Sequence, residues 1–371
     1  MSLRRTAGRI ARGAGAGLLE GAVFALGRPR PDARPPAAPE SIFVLRNNDV
    51  GDVLAVTPLF DALRRRFPAA RVVAGVGPWS ADVLCGNPHI SEVMTVQAPW
   101  FNKYTGGQGT AGRLAYLWRS PEVRALRSRF DVGIDVVGSA WGSLLLLRAG
   151  IPCRLGVRGY AGGHSAAHLT VRYDPGEHVG RAALRFAELL GATDLPEARP
   201  QIFLSAEERE AGERLWSGPR GRRVVVGPGG GLAVKLWPRE RFSELLRRLG
   251  ELGEVEAAVV GGPMERGWTE EMAAGVPGAR SLPALGLRET FALVAASDLV
   301  LCNSSMLLHV AAAFRRPTVV LLGESFPSAS GHQAQWGYPG TCRSLGREPG
   351  SRDSLATPDE ALAAAREVAG W

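Results

Sequence analysis

The sequence alternates short apolar runs with amphipathic helical segments, and it does so in two successive series. The first series starts with the apolar run Ile42–Leu45 and returns to a strand at Val72–Val76. Between these two runs, Leu59, Leu63 and Phe67 recur at the spacing of one helix face. Apolar strands joined by helices form parallel sheets that are covered on both sides. This first series therefore predicts an α/β fold with a doubly wound parallel sheet.

A second series begins near residue 205. Arg223–Val226 is a predicted strand, Pro238 opens a helix that Gly250 closes, and Val255–Val260 is the next strand. The total of 371 residues suits two domains, because single domains mostly span ~100–200 residues. We therefore predict two Rossmann-like domains, with ligands in a central cleft at the carboxyl ends of two facing sheets.

The predicted boundaries follow the changes in composition along the chain. Residues 1–40 form a basic N-terminal helix and a proline-rich linker, and residues 41–204 form the N-terminal domain. Residues 205–345 form the C-terminal domain, and residues 346–371 form a tail with a last helix.

Residues 1–40 hold seven arginines against three acidic residues, next to an apolar end that includes Val23 and Phe24. One interpretation is an amphipathic helix on an anionic membrane surface, and the other is a flexible basic tail. Glu20 interrupts the apolar run, which argues against a signal peptide.

The overall composition excludes several classes of protein. No apolar stretch approaches the ~18–20 residues of a membrane-spanning helix, so an integral membrane protein is not expected. The four cysteines are far apart, as is typical of reduced thiols in a cytosolic protein. The remainder of the chain is only mildly basic, which does not suit a nucleic-acid-binding protein.

Gly51 and Asp52 lie just beyond the predicted first strand, where open parallel sheets bind their ligands. A carboxylate at this place can take a proton from an attacking hydroxyl as a general base. The alternative is that Asp52 only caps a helix.

The glycine loop 227–231 includes Gly229, Gly230 and Gly231, and Lys235 follows it. Glycines after a strand let backbone N–H groups approach phosphate oxygens, and a nearby lysine adds a mobile positive charge. Only Lys103 and Lys235 among the 44 basic residues are lysines, which favours a function over a solvated glycine turn. The spacing of a Walker loop is absent.

Two further segments follow predicted strands in the second series. Glu265, after Gly261 and Gly262, could accept both hydroxyls of a ribose, or it could simply start a helix. In the segment from Asn303 to Ala313, the residues that would face a ligand are Ser304, Ser305, Met306 and His309. His309 could donate to a phosphate or sugar oxygen, although a lone histidine in such apolar surroundings is more often a packed residue.

Co-linear segments of residues 41–345 resemble glycosyltransferase family 9, the ADP-heptose:lipopolysaccharide heptosyltransferases. In the order of the family, they are GDVLAVTPLFDALRRRFPAARV, FDVGIDVVG, RLGV, EHVGRAALRFAELLG, VVGPGGGLAVKLWPRERF, VVGGPMERG and LVLCNSSMLLHVAAAFRRPTVVLLGES. The resemblance implies the GT-B fold, in which two Rossmann-like domains face a central cleft. It also implies that the N-terminal domain binds the acceptor, that the C-terminal domain binds the nucleotide-sugar, and that no metal or other cofactor is required.

By position, the resemblance assigns a role to each candidate. Asp52 is similar to the catalytic base, with Gly51 beside it at the acceptor, and Lys235 to the residue that neutralises the leaving diphosphate. Glu265 resembles the ribose-binding carboxylate, and His309 the histidine of the donor loop. That loop usually carries aspartate and glycine where this chain has Ser304 and Met306. A neutral serine replaces a charge-assisted hydrogen bond of ~1.5–3 kcal/mol with one nearer ~1 kcal/mol, which can change the donor sugar.

The expected function is an inverting transfer of a sugar, from ADP-heptose, to a lipid-linked saccharide acceptor at the cytoplasmic face of a membrane. Peripheral membrane contact through residues 1–40 would suit such an acceptor. Alternatives are a sibling enzyme with another nucleotide-sugar and a non-catalytic nucleotide-binding descendant. Acceptor contacts are expected in the loops 97–120 and 157–170, in which no motif can be recognised.

Overall fold

The computed structural model describes residues 20–25, 27, 35–106, 108–216, 221–253, 255–350 and 355–371. These residues divide into two compact units. Unit 1 holds the described residues up to Pro175 together with Gly180–Ala198, and unit 2 holds Gly176–Val179 and the described residues from Arg199 onward. No helix in these ranges is both long and apolar enough to cross a bilayer.

Unit 1 is built on a six-stranded sheet in which neighbouring strands run parallel. The strand order is β3-β2-β1-β4-β5-β6, which is the order of a dinucleotide-binding Rossmann sheet. The strands are β1 Ser41–Leu45, β2 Arg71–Val76, β3 Glu92–Thr95, β4 Val132–Asp135, β5 Cys153–Arg158 and β6 Leu169–Arg172. This sheet confirms the doubly wound fold predicted for the first half of the chain.

Helices cover both faces of this sheet because apolar residues recur along one side of each. They are α1 Val50–Ala55, α2 Thr57–Arg66, α3 Thr110–Arg119, α4 Pro121–Ala125, α5 Ala140–Arg148 and α6 Val179–Leu189, with a 3-10 helix at Pro78–Leu84. Phe43, Leu145 and Trp141 belong to one buried cluster between the sheet and its helices. Gly191 has φ 84 just after α6, a left-handed conformation in which glycine commonly ends a helix.

Unit 2 repeats the same architecture. Its six parallel strands have the order β12-β11-β10-β7-β8-β9, which is the unit 1 order read from the other edge. The strands are β7 Arg222–Gly227, β8 Val255–Val260, β9 Ala279–Leu282, β10 Leu299–Cys302, β11 Thr318–Leu321 and β12 Cys342–Leu345.

The helices of unit 2 also bury one face each, as the helices of unit 1 do. They are α7 Ala206–Arg214, α8 Arg239–Gly250, α9 Arg266–Ala274, α10 Leu287–Ala295, α11 Met306–Ala313, α12 Ala329–Trp336 and α13 Pro358–Ala369, with 3-10 turns at Ala233–Lys235 and Pro263–Glu265. Ser205 and Thr357 cap α7 and α13, each with a glutamate that completes a capping box, as their sequences indicate. The last helix, α13, packs its alanine face into the core around Trp237 and Phe242.

The predicted basic helix and linker of residues 1–40 lie mostly outside the described residues. Residues 20–25 are helical, and Val23 is buried in the core of unit 1. The guanidinium of Arg154 donates to the carbonyl of Gly27 at 3.1 Å. The described part of this segment is therefore packed against unit 1, and Val23 is not available to a membrane.

The strand order changes direction between β1 and β4 in unit 1 and between β7 and β10 in unit 2. At such switch points the loops that follow the two strands separate and leave a crevice at the carboxyl edge of the sheet. Asp52 follows β1, and the predicted glycine loop follows β7. The fold therefore places these candidate residues at the two positions where doubly wound sheets bind ligands.

Candidate functional site

Asp52 lies in the first turn of α1, directly after the loop that leaves β1. Nη2 of Arg46 donates to Oδ1 of Asp52 at 3.0 Å, and Nε of Arg46 lies 3.4 Å from the backbone carbonyl of Asp52. The Arg46 side chain is 11% exposed and that of Asp52 is 29% exposed. Asp49 is the N-cap of α1, so Asp52 is not the helix cap. Asp52, with half-buried Gly51 beside it, is a partly solvent-accessible carboxylate held by a largely buried guanidinium.

Asp135 is a second carboxylate at the same switch point. It ends β4 opposite Leu45 of β1, and it is fully buried. Burial raises its pKa to about 6, against the backbone N–H groups of Ser139 and Gly138 and the charge of Arg46. Arg46 therefore interacts electrostatically with both carboxylates. No sequence motif pointed to Asp135, although an acidic residue that ends an apolar strand is a usable signal.

The glycine loop of unit 2 lies against Glu265. A Cβ on Gly229 would be 2.3 Å from Oε1 of Glu265, so only glycine allows this close approach. Oε2 of Glu265 accepts a hydrogen bond from the backbone N–H of Gly262 at 2.8 Å. Gly230 and Gly231 are exposed in the same loop. The structure thus brings together two segments that lie far apart in the sequence. Glu265 ends the 3-10 turn and is also the N-cap of α9, in agreement with the alternative that it starts a helix.

Asn303 organises this loop. It immediately follows β10 and is fully buried. Its Oδ1 accepts from the backbone N–H of Trp237 at 2.8 Å, and its Nδ2 donates to the carbonyl of Pro228 at 2.6 Å. A buried amide needs such partners, because an unsatisfied one costs free energy. Asn303 therefore fixes both ends of the segment that carries the glycines and Lys235, a role that the sequence analysis did not assign.

Lys235 is exposed at the end of the 3-10 turn after the glycine loop. Its ammonium lies 5.8 Å from the centre of the Phe326 ring. Its backbone carbonyl accepts from the N–H of Gly323, which follows β11, at 3.1 Å. Lys235 thus has an anchored backbone and a cation at the carboxyl edge of the unit 2 sheet. In the described ranges, no cluster of histidine, cysteine and acidic side chains is arranged to hold a metal ion.

The predicted donor loop crosses the same edge, and Ser304 contacts a histidine that the sequence analysis did not consider. Oγ of Ser304 lies 2.9 Å from Nε2 of His332, and Nδ1 of that ring lies 2.8 Å from Oγ of Ser344. Burial, with smaller contributions from His309 and Lys235, lowers the pKa of His332 to about 4. His332 is therefore neutral at pH 7. It was overlooked because it is remote in sequence.

Ser305 is the N-cap of α11, and Met306 is the first residue of that helix. The Ser305 side chain makes no capping hydrogen bond to the N–H groups of the first turn. His309 is 5% exposed, and its Nδ1 lies 2.7 Å from the hydroxyl of Tyr338. The ring is therefore packed in the core, and its direct contact with a donor stays a prediction.

The chain matches the family model described as glycosyltransferase family 9 (heptosyltransferase) over residues 122–341. Lipopolysaccharide heptosyltransferase 2 of Escherichia coli K12 is 26% identical over 303 residues, which are 77% of this chain and 83% of the relative. Lipopolysaccharide heptosyltransferase 1 of Pseudomonas aeruginosa is 25% identical over 295 residues, or 78% and 80%.

Solved structures show the same fold. A family 9 glycosyltransferase from Veillonella parvula aligns with a TM-score of 0.71 at 20% identity, covering 89% of this chain and 97% of that one. The Escherichia coli ADP-heptose lipopolysaccharide heptosyltransferase II gives 0.69 at 22% identity, covering 89% and 98%. The predicted GT-B fold is thus confirmed. With the two Rossmann-like units and the family match together, the chain belongs to glycosyltransferase family 9 and is an enzyme of sugar transfer.

Proposed function

We propose that this enzyme transfers a heptose from ADP-heptose to a saccharide acceptor of the lipopolysaccharide core, with inversion at the anomeric carbon. The observation that carries the proposal is the meeting of a glycine loop, an exposed lysine and a carboxylate at the switch point of unit 2. The curated relatives named above are lipopolysaccharide heptosyltransferases, which supports heptose as the sugar.

A nucleoside diphosphate suits the chemistry of these residues. Backbone N–H groups of the loop around Gly229 and the ammonium of Lys235 are donors for diphosphate oxygens. The carboxylate of Glu265 is an acceptor for the ribose hydroxyls. The first-turn N–H groups of α11, at Ser305 and Met306, add positive potential near a phosphate.

The transfer is a single displacement. Asp52 takes the proton from the acceptor hydroxyl as the acceptor oxygen forms its bond to the anomeric carbon. The bond from that carbon to the diphosphate oxygen breaks, and ADP leaves with the electron pair. Lys235 and the loop N–H groups stabilise the charge that develops on ADP. Because bond formation and bond cleavage occur on opposite faces of the carbon, the anomeric configuration inverts.

Arg46 positions the base in this scheme. Its two contacts with Asp52 fix the carboxylate against α1 while one side stays open to solvent. The guanidinium is itself largely buried, which holds the arrangement in place, and a positioned base is more effective than a mobile one.

A different donor sugar is the second candidate, and one contact favours it. Ser304 Oγ is already engaged with His332 Nε2 at 2.9 Å, so its capacity for a sugar hydroxyl is reduced. Ser304→Asp would place a carboxylate beside this neutral histidine. A donor preference that does not change in Ser304→Asp, measured on a panel of nucleotide-sugars, would remove Ser304 from the determinants of specificity.

The acceptor is proposed to be lipid-linked and to be met at the cytoplasmic face of a membrane, with residues 1–40 in peripheral contact. The arginines of that segment supply the attraction for an anionic surface. The test is sedimentation with vesicles of anionic and of neutral lipid. Deletion of residues 1–19 should abolish binding to the anionic vesicles, and unchanged binding would contradict the membrane role.

The donor site is tested first by thermal stability with ADP, UDP and GDP. A ligand at ~100 times its dissociation constant adds ~2.7 kcal/mol to the free energy of unfolding. We expect ADP to stabilise the protein selectively and Lys235→Ala to lose most of this effect. Lys103→Ala, which removes the other lysine of the chain, is the matched control. Stabilisation by UDP or GDP instead of ADP would overturn ADP-heptose as the donor.

A further inference from the structure

We propose that an aromatic platform in unit 1, formed by half-buried Trp79 and the exposed rings of Phe101 and Tyr104, binds a sugar ring of the acceptor. This inference rests on the proposed function, because it assigns the acceptor a binding surface beside the candidate base. Phe101 and Tyr104 lie within the first of the two regions in which acceptor contacts were expected, ahead of the helix α3 at Thr110–Arg119, and Trp79 lies in the 3-10 helix Pro78–Leu84.

Trp79 and Tyr104 form a stacked pair. Their ring centroids are 4.5 Å apart, and the ring planes differ by 18°. The backbone of Gly77 lies against the indole of Trp79, because a Cβ at Gly77 would be only 2.2 Å from the ring. Gly77 therefore supports the Trp79 ring. Tyr104 is 44% exposed and Phe101 is 43% exposed. The pair thus has a supported inner ring and an outer ring that is open to a ligand.

The loop that carries Phe101 and Tyr104 is held rigid from within. Oδ1 of Asn102 accepts from the backbone N–H groups of Tyr104 and Thr105, and Nδ2 of Asn102 donates to the carbonyl of Ala98. Phe101 has φ 57, a left-handed conformation that is unfavourable for a bulky residue. Because Phe101 is exposed, the packing of its ring does little to offset this unfavourable backbone conformation. Such strain is common where a side chain serves a ligand.

Hydrogen bonds join this loop to the segment that carries the base. Nε1 of Trp79 donates to the carbonyl of Asn48 at 2.8 Å, and Nδ2 of Asn48 donates to the carbonyl of Phe101 at 2.8 Å. The next residue, Asp49, is the N-cap of the helix that contains Asp52. Burial and the charge of Asp49 raise the pKa of Tyr104, so the Tyr104 hydroxyl lies within electrostatic reach of that cap. A sugar on the platform would therefore lie next to Asp52.

The chemistry of the platform fits a saccharide. Aromatic faces carry negative potential and attract the C–H bonds of a sugar ring, while the ring hydroxyls find polar partners at the edges. The ammonium of Lys103 lies 5.3 Å from the centre of the Tyr104 ring and can donate to those hydroxyls. A pyranose ring needs this combination of a flat aromatic face and a donor beside it.

Trp118 provides a matched control. It is 48% exposed in unit 1, and the guanidinium of Arg148 lies 5.5 Å from its ring centre. Arg148 ends α5, whose C-terminus leads to the start of β5, so this pair lies at the amino edge of the sheet. Its exposure and its cation contact are similar to those of Tyr104, but it lies away from the carboxyl edge where Asp52 is located.

The test uses the full chain, ADP-heptose, and heptose-free core oligosaccharide released from lipopolysaccharide as the acceptor probe. Tyr104→Ala should raise the acceptor KM about tenfold, equivalent to ~1.4 kcal/mol of binding, with kcat and ADP affinity nearly unchanged. Tyr104→Phe keeps the ring and should resemble the wild type, as should Trp118→Ala. Phe101→Gly removes a ring of the platform, so it should raise the acceptor KM. It also relieves the unfavourable backbone conformation, so it should not lower the melting temperature.

An acceptor KM that is unchanged in Tyr104→Ala would overturn the platform while leaving the proposed transfer intact. If the wild-type enzyme transfers heptose to no core oligosaccharide, the proposed function fails. The platform is then tested separately, by measuring the binding of free bacterial oligosaccharides with saturation-transfer NMR. Binding that is lost in Tyr104→Ala but kept in Trp118→Ala would then support it. Absence of saccharide binding by the wild type would overturn it.

Discussion

Arg46 contacts one carboxylate and influences the pKa of another at the carboxyl edge of unit 1. Asp52 is partly exposed and paired with the guanidinium, whereas Asp135 is fully buried and has a raised pKa. A base for an acceptor hydroxyl must be accessible to the acceptor, and of the two carboxylates only that of Asp52 is partly exposed. At the residue scale, the environments of the two acids separate their roles.

Asp52→Asn should lower kcat for sugar transfer by roughly 10²–10⁴-fold, because the amide cannot take the proton. Arg46→Met should cause a smaller loss of kcat, since the base remains but loses its position. Asp194→Asn is the control, because Asp194 is an ion-paired carboxylate of unit 1 that is 77% exposed. ADP binding, measured by calorimetry, should be unaffected in all three variants. Full turnover by Asp52→Asn would exclude Asp52 as the base.

Buried, neutral His332 should make the stability of unit 2 depend on pH. Its pKa is about 4 in the folded protein, and an unfolded histidine titrates near ~6.5. As pH falls from ~6.5 to ~4, the unfolded chain binds a proton that the folded protein does not, so folding stability decreases by roughly 3 kcal/mol. Below pH ~4 the stability contributed by neutral His332 is fully lost.

The measurement is the melting temperature of the wild type and of His332→Gln between pH 7.5 and pH 4. The variant should lose this contribution, so its melting temperature should depend less steeply on pH. His164→Gln, which replaces a half-buried histidine of unit 1, is the control for the effect of a histidine substitution as such. Parallel curves for the wild type and His332→Gln would contradict the assignment.

At the scale of elements, the glycine segment proposed to bind the donor is a loop that another strand holds in place. The chain from Pro228 to Trp237 has exposed glycines and a short 3-10 turn, so it has little structure of its own. Asn303, at the end of β10, binds this segment at both ends. The geometry of the candidate phosphate site therefore depends on the pairing of β7 with β10.

Asn303→Ala should weaken ADP binding and destabilise unit 2. It leaves the carbonyl of Pro228 and the N–H of Trp237 without their partner, at roughly 1–3 kcal/mol for each buried group. Ser297→Ala is the matched control, because it removes a fully buried polar side chain of unit 2 whose hydroxyl donates to the carbonyl of Val294 in its own turn. Calorimetric titration with ADP distinguishes the two variants. Equal ADP affinity in Asn303→Ala and Ser297→Ala would refute the role of Asn303.

At the scale of the whole molecule, both units use the same strand order, and each has a switch point with candidate residues. The proposed roles differ, with a general base in unit 1 and diphosphate contacts in unit 2. A nucleotide should therefore bind to unit 2 and not to unit 1.

Hydrogen exchange with and without ADP tests this division. Protection should appear in unit 2 at the loop after β7, the turn at Glu265 and the start of α11, because these N–H groups face the proposed diphosphate and ribose. Residues 47–55 of unit 1 should exchange as they do in the absence of nucleotide. Protection that is confined to unit 1 would reverse the proposed assignment of donor and acceptor domains.

The sequence by itself determined the elements and the family of this protein. Apolar runs and helical spacing are local signals, so β1, β2, β7 and β8 and the caps at Ser205 and Thr357 could be predicted from neighbouring residues. The co-linear motifs were equally readable, and the family and fold they implied are confirmed. Short strands such as Glu92–Thr95 and Ala279–Leu282 were missed because polar residues interrupt their apolar pattern.

Only the tertiary structure decided which side chains meet. Four contacts join segments that are remote in sequence. They are the contacts of Glu265 with Gly229, of Asn303 with Pro228 and Trp237, of Ser304 with His332, and of Tyr104 with Trp79. Sequence periodicity reports which face of an element is buried, but not which partner covers it. A parallel sheet brings the ends of distant strands to one edge, and so the site could be read only after the strand order was known.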